Sequence, residues 1–259
     1  MIRNLSRTLG SAATIAIALA AGACSNGNVP FDGEKGVPLA ELDTSGPAPG
    51  GLAMLGPDEV VLRRGDRLAI AVEGDEEAKD ALRFTLKDGT LGIGRTNWKS
   101  SGRARITVTM PLPNKLVMAG SGSIASEGMA GPEAEVSVAG SGRIDTGAVE
   151  AERLSVNIAG SGSLTGKGHA RNLEVNVAGS GDAELDGLSV DDAKVSVAGS
   201  GNTRFASDGN VKASIMGSGE VRVRGRATCK VSAVGSGKLV CENAATPEAA
   251  GDDASDAPQ

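Results

Sequence analysis

Val156-Asn157-Ile158-Ala159-Gly160-Ser161-Gly162 is the stretch from which the fold follows, because the chain repeats it. Gly-Ser-Gly begins at Gly120, Gly140, Gly160, Gly179, Gly199, Gly217 and Gly235, at spacings of 20, 20, 19, 20, 18 and 18 residues. A period near twenty marks a solenoid, one coil per repeat, each coil burying its face on the next. Two residues before the first Gly stand Met118, Val138, Ile158, Val177, Val197, Ile215 and Ala233. Four before it stand Leu116, Val136, Val156, Val175, Val195, Ala213 and Val231. Between them, after Val117, come Ser137, Asn157, Asn176, Ser196, Ser214 and Ser232, so apolar and polar residues alternate as in a half-buried strand.

Four residues after the Gly come Ile124, Ile144, Leu164, Ala183, Thr203, Val221 and Leu239, which open a second, shorter strand. Another Gly usually closes it, as Gly147, Gly166 and Gly187 do. The Gly-Ser-Gly corner supplies the positive φ and close backbone approach that a turn between rungs needs. Stacked rungs set Ser121, Ser141, Ser161, Ser180, Ser200, Ser218 and Ser236 in a ladder, whose hydroxyls are expected to bond neighbouring corners. The expectation is an all-β fold, a parallel β-helix of seven rungs about 34 Å long over residues 119–242. The competing arrangement is a stack of antiparallel hairpins with Gly-Ser-Gly as the loops.

Composition agrees. The 259 residues carry 40% hydrophobics and 38 Gly, but no Tyr, one Trp (Trp98) and three Phe. Such a core is built from Val, Ile, Leu and Ala in thin layers. Residues 52–118 read as a further β region without the Gly-Ser-Gly period. Val60 to Leu62, Leu68 to Glu73, Leu82 to Leu86, Leu91 to Ile93 and Arg105 to Met110 are its strands, with one helical turn between Asp75 and Asp80.

Both ends differ from this body. Arg3 and Arg7 precede an uncharged, mostly apolar stretch from Ser11 to Ala23, an export signal over residues 1–23. Ala20-Ala21-Gly22-Ala23-Cys24 resembles the lipobox of bacterial lipoproteins, which implies acylation of the Cys24 thiol and anchoring of the chain to a membrane. Ordinary cleavage after Ala21 or Ala23 is the alternative. The apolar run is short of the ~20 residues that span a bilayer. Ser25 at the next position, by resemblance to outer-membrane lipoproteins, favours transfer to the outer membrane. Residues 24–51, rich in Gly, Pro, Asp and Ser, read as a flexible linker, and residues 243–259 as a disordered acidic tail. The whole chain carries 26 basic and 32 acidic residues, net -6; loss of Arg3 and Arg7 with the leader makes the mature chain two units more negative. That sign disfavours nucleic acid as a partner.

Cys229 lies six residues before Gly235 and Cys241 six after it, both at the inward parity of their strands. In an oxidising envelope a Cys229–Cys241 disulfide stapling the last rung is expected; two buried thiols are the alternative. Little else carries chemistry. His169 is the only imidazole, on the polar Gly166-Lys167-Gly168 turn. The serines lack a Gly-x-Ser-x-Gly elbow, and Gly160, Gly162 and Gly166 do not form a phosphate loop. Asp182, Glu184 and Asp186, with Asp191 and Asp192 nearby, faintly match a calcium-binding β-roll repeat, once in seven copies. No catalytic residue, cofactor or metal is expected.

Leu91-Gly92-Ile93, the segment Ile106-Thr107-Val108-Thr109-Met110-Pro111 and the tandem repeats together resemble the head-GIN domain family of auto-transporter adhesins over about residues 52–242. The resemblance implies a right-handed β-helix, a cell-envelope location and an adhesive or structural role, with an envelope protein or surface glycan as partner. The family brings no catalytic residues, and this chain has no recognisable translocating β-barrel. Two other functions stand beside a non-enzymatic binding or scaffolding role. One is a carbohydrate-active β-helix enzyme using Asp145, Asp182 and Asp186, which the scarcity of aromatics opposes. The other is a purely structural, self-associating envelope protein.

Overall fold

The structure is a computed structural model and describes residues 30–31, 34–96 and 102–242. The export signal, Cys24, Trp98 and the tail 243–259 lie outside the described residues. The chain begins with a two-residue pair, β1 (Pro30–Phe31) against β2 (Glu34–Lys35), and a 3-10 turn at Leu39–Glu41. It then runs through β3 (Gly51–Gly56), β4 (Glu59–Arg64), β5 (Ala69–Gly74), α1 (Glu76–Ala81), β6 (Leu82–Lys87), β7 (Thr90–Arg95), β8 (Ala104–Met110), β9 (Lys115–Gly120) and β10 (Ser123–Ser126). Four long, bent strands follow: β11 (Gly128–Gly140), β12 (Arg143–Gly160), β13 (Ser163–Gly179) and β14 (Asp182–Gly199). The shorter β15 (Asn202–Ser207), β16 (Asn210–Gly217), β17 (Glu220–Arg224), β18 (Thr228–Gly235) and β19 (Lys238–Glu242) complete it.

These strands build two facing sheets. The first runs β6-β7-β3-β9-β11-β12-β13-β14-β16-β18. The second runs β5-β8-β4-β10-β12-β13-β14-β15-β17-β19. Every pair is parallel except β5 with β8 and β6 with β7, which close one end. The parallel registers exclude the hairpin stack and make the molecule a β-solenoid. Each Gly-Ser-Gly stands on the one before it: Gly140 on Gly120, Gly160 on Gly140, Gly179 on Gly160.

The corner ladder is made by the backbone rather than by hydroxyls. Ser141 N–H donates to Gly120 O at 2.9 Å, Ser161 N–H to Gly140 O at 2.9 Å and Ser200 N–H to Gly179 O at 2.9 Å. The corner serines are exposed, so water satisfies their hydroxyls and they need no partner in the next rung. The two glycines of a corner do different work. Gly140 has φ +111°, and a Cβ there would stand 2.6 Å from Gly120 O. Gly142 gives up its side chain to the rung before, since a Cβ would stand 2.6 Å from Met118 Cγ.

The change of period from 20 to 18 residues is also structural. In the longer coils a third short side lies between the sheets, where Met129, Val149, Gly168 and Leu188 pair in column. The first 18-residue coil shortens that side: the register skips from Leu185↔Phe205 to Ser189↔Ala206, leaving only Ala206 and Ser207 of β15 on it. Inward positions of both sheets are sealed: Val136, Val156, Val175 and Val195 are fully buried, as are Ile144 and Leu164.

Two parts of the chain are placed by pairing that no local pattern reveals. The first strands of the region before the repeats lie inside the stack. β3 and β4 sit between β7/β8 and β9/β10, so chain order and stacking order differ there. The stretch expected as a linker is also joined to the body near its end. Val37 exchanges backbone hydrogen bonds with Phe84 at 2.9 and 2.8 Å, and Leu39 and Leu42 pack against the core. The edge of β6 needs a partner, and Val37 supplies it. At the opposite end, Cys229 on β18 and Cys241 on β19 form a disulfide across the two sheets.

Candidate binding surface

The outer face of the first sheet follows directly from the repeat. Where the inward positions carry Val and Ile, the alternate positions point outward and stack in two columns. One is Ser137, Asn157, Asn176, Ser196 and Ser214; the other is Ala139, Ala159, Ala178, Ala198 and Met216. Asn176 Nδ2 donates to Asn157 Oδ1 at 3.2 Å, so the amides of adjacent rungs are joined in a short ladder. Together the columns line a shallow trough of about 530 Å³ between Val117 and Met216. It crosses six strands, which at ~4.8 Å per step is about 24 Å. Charges are kept to its border, where Lys115 pairs with Glu135 at 3.2 Å and Lys194 with Glu174 at 3.6 Å.

A second depression of about 620 Å³ runs beside the corners and is polar, with Ser121, Ser141, Ser161, Arg103, Arg105 and Arg143 on its walls. Its charges are partly spent internally: Arg105 pairs with Glu59 at 2.9 Å, and Arg143 donates to Ser163 Oγ at 3.1 Å.

Asp145, Glu184 and Asp186 line one depression of about 370 Å³, yet each of the acids singled out in the sequence is held by its own partner. Asp182 accepts from Asn202 N–H and Nδ2 at 3.0 and 2.9 Å, Glu184 pairs with Arg204 at 3.7 Å, and Asp186 with Arg224 at 3.6 Å. Each therefore binds a later rung rather than a shared point. Asp192 accepts from Asn210 in the same way, and Asp145 caps the Gly147 N–H at 2.9 Å. Among the described residues no group of three or more His, Cys, Asp or Glu is placed to hold a metal. His169 is exposed on the third side.

Sequence reasoning missed the buried ion pair of Asp58 with Arg95. Asp58 occupies the corner of the β3–β4 rung, Gly56-Pro57-Asp58, in the place that Gly122 takes in the next one. Its carboxylate receives Arg95 Nε at 2.7 Å, Arg95 Nη2, and the Ala104 N–H at 2.8 Å. Arg95 Nη2 also donates to Gly102 O at 2.9 Å. The pair fills a corner that lacks a glycine triplet, so it is architectural.

Among the described residues no helix is long and apolar enough to cross a membrane. No curated protein matches the chain. Solved structures share the fold, among them the following three. One from Parabacteroides distasonis, described as a putative lipid binding protein, has a TM-score of 0.59 at 21% identity and covers 75% of this chain and 93% of its own. Putative adhesins from Parabacteroides merdae and Bacteroides fragilis give TM-scores of 0.60 and 0.64 at 16% and 19% identity. They cover 75% and 76% of this chain and 92% of each of their own. Residues 49–227 match the family model described as "Putative auto-transporter adhesin, head GIN domain". That match takes in most of the solenoid as well as the strands before the repeats, and the chain belongs to the head GIN domain family.

Proposed function

We propose that this chain is a non-catalytic binding module of the bacterial cell envelope, held to the outer membrane through lipid on Cys24, whose ligand lies lengthwise along the outer face of the first sheet. One observation carries the reading: between Val117 and Met216 that face is restricted to Ser, Asn and Ala, rung after rung, with charge only at its border. A column of hydroxyls and amides beside a column of methyls suits an extended glycan strand, which offers hydroxyls along one edge and C–H faces along the other. The family's adhesin description agrees with this reading.

A carbohydrate-active enzyme needs a pair of carboxylates flanking one bond. Asp145, Asp182 and Asp186 are each engaged separately, which favours binding without turnover.

The test is retention of the full chain on purified envelope polysaccharide. Ala178→Arg, placed in the trough on an exposed position, should lower retention at least tenfold while leaving the melting temperature within a degree or two. Unchanged retention would remove the face from consideration. Independently, Cys24→Ser should release the protein from membranes and abolish incorporation of labelled palmitate; continued membrane association would refute the anchor.

A further inference from the structure

The two ends of the solenoid are finished differently. At one end β5 and β6 run antiparallel to the last rung, α1 lays the buried Ala78 and Ala81 over it, and Val37 covers the edge of β6. At the other end β18 and β19 are the last strands among the described residues. Val231 stands in the column of Val195 and Ala213, which are 0% and 5% exposed, yet is itself 53% exposed. Ala233, above the fully buried Ile215, is exposed as well. On the second sheet Leu239 and Cys241 lie over the sealed Val221 and Val223 and are only half covered.

We propose that this open end docks on the same end of a second copy of the chain, β18 against β18 and β19 against β19, across a two-fold axis. The edge is only lightly defended against pairing: residues 228–242 contain no proline and no charge at an inward position, and Lys230, Lys238 and Glu242 stand at outward ones. An isologous contact requires a self-complementary surface. Read antiparallel against itself and centred on Val240, β19 places Lys238 opposite Glu242 of the second copy and Leu239 opposite Cys241; within the chain Lys238 pairs with Glu220 and Glu242 with Arg222, so the contact extends that charge network and continues the apolar stripe. The chain's own remaining residues are a poorer cover. Positions 243–259 contain no Val, Ile, Leu, Met or Phe with which to extend the stripe.

The contact is distinct from the trough, and Met216 tells them apart. Val231 and Met216 are both exposed, at 53% and 62%, but Val231 points out of the end and Met216 out of the side. Sedimentation equilibrium of the full chain in density-matched detergent should show a monomer–dimer equilibrium at micromolar concentration. Val231→Lys should weaken it at least tenfold and Met216→Lys should leave it unchanged, with circular dichroism confirming that both variants fold. A chain that remains monomeric, or a dimer insensitive to Val231→Lys or equally sensitive to Met216→Lys, overturns the proposal.

Discussion

Asp58, at the corner between β3 and β4, holds Arg95, at the end of β7, in an ion pair whose side chains are 1% and 0% exposed. The two residues lie 37 positions apart and join adjacent rungs that are not adjacent in the chain's order. Breaking one half of a buried pair leaves the other charge stranded, which costs about 3–5 kcal/mol. Arg95→Ala should therefore destabilise the protein by that amount in urea unfolding. Replacing both members, Asp58→Asn with Arg95→Met, should cost less than the sum of the single changes, because no stranded charge remains.

The corner ladder separates backbone from side chain. Ser141→Ala should alter stability by less than about 0.5 kcal/mol, since the hydroxyl is exposed and the rung is held by the Ser141 N–H. Gly140→Ala should cost at least about 2 kcal/mol, since it combines φ +111° with a close approach to Gly120 O. Equal losses in thermal unfolding would return the ladder to the hydroxyls.

Thr203 interrupts the inward column of the second sheet between Ala183 and Val221. It is fully buried, and its Oγ1 has no hydrogen-bond partner. Thr203→Val keeps the shape and removes the unpaired hydroxyl. The variant should gain about 1 kcal/mol in urea unfolding. A loss would mean that the hydroxyl is satisfied.

The last rungs should be the acid-sensitive part. Hydrogen bonds from the Arg226 backbone N–H, then from its side chain, hold the Asp208 carboxyl below the usual range. Lys238, and then Arg222, do the same for Glu220. Both groups bind protons less readily folded than unfolded, so their stabilisation is complete above the unfolded range near pH ~4 and fades as pH falls through the folded one. The melting temperature should drop below about pH 4, and Asp208→Asn with Glu220→Gln should flatten that drop. An unchanged acid limb would place the sensitivity elsewhere.

The repeat made much of this legible in advance. Seven corners at near-constant spacing, with an apolar residue two and four positions before each, pointed to stacked strands with one buried side, and Cys229 and Cys241 at matched parity anticipated the disulfide. The strands β4 to β8 were recognised one by one, because alternation in Leu82 to Leu86 or Arg105 to Met110 is local, whereas β3 was not. Their place in the stack was not, because nothing in Gly51–Gly56 says that it lies between β7 and β9. The binding face was half visible: Ser and Asn were read as outward positions, but the flanking column of Ala acquires meaning only when the rungs align.

By itself the sequence determined the strand period, the corner and the identity of the core side chains, because each depends on residues close together along the chain. Tertiary structure alone decided the rung order, the burial of Asp58 with Arg95, the scattering of the acidic residues among different partners and the contrast between a closed and an open end. Those depend on which edges meet in space. A parallel strand edge accepts any neighbour of matching parity, so pairing between distant segments is settled only when the whole stack is assembled.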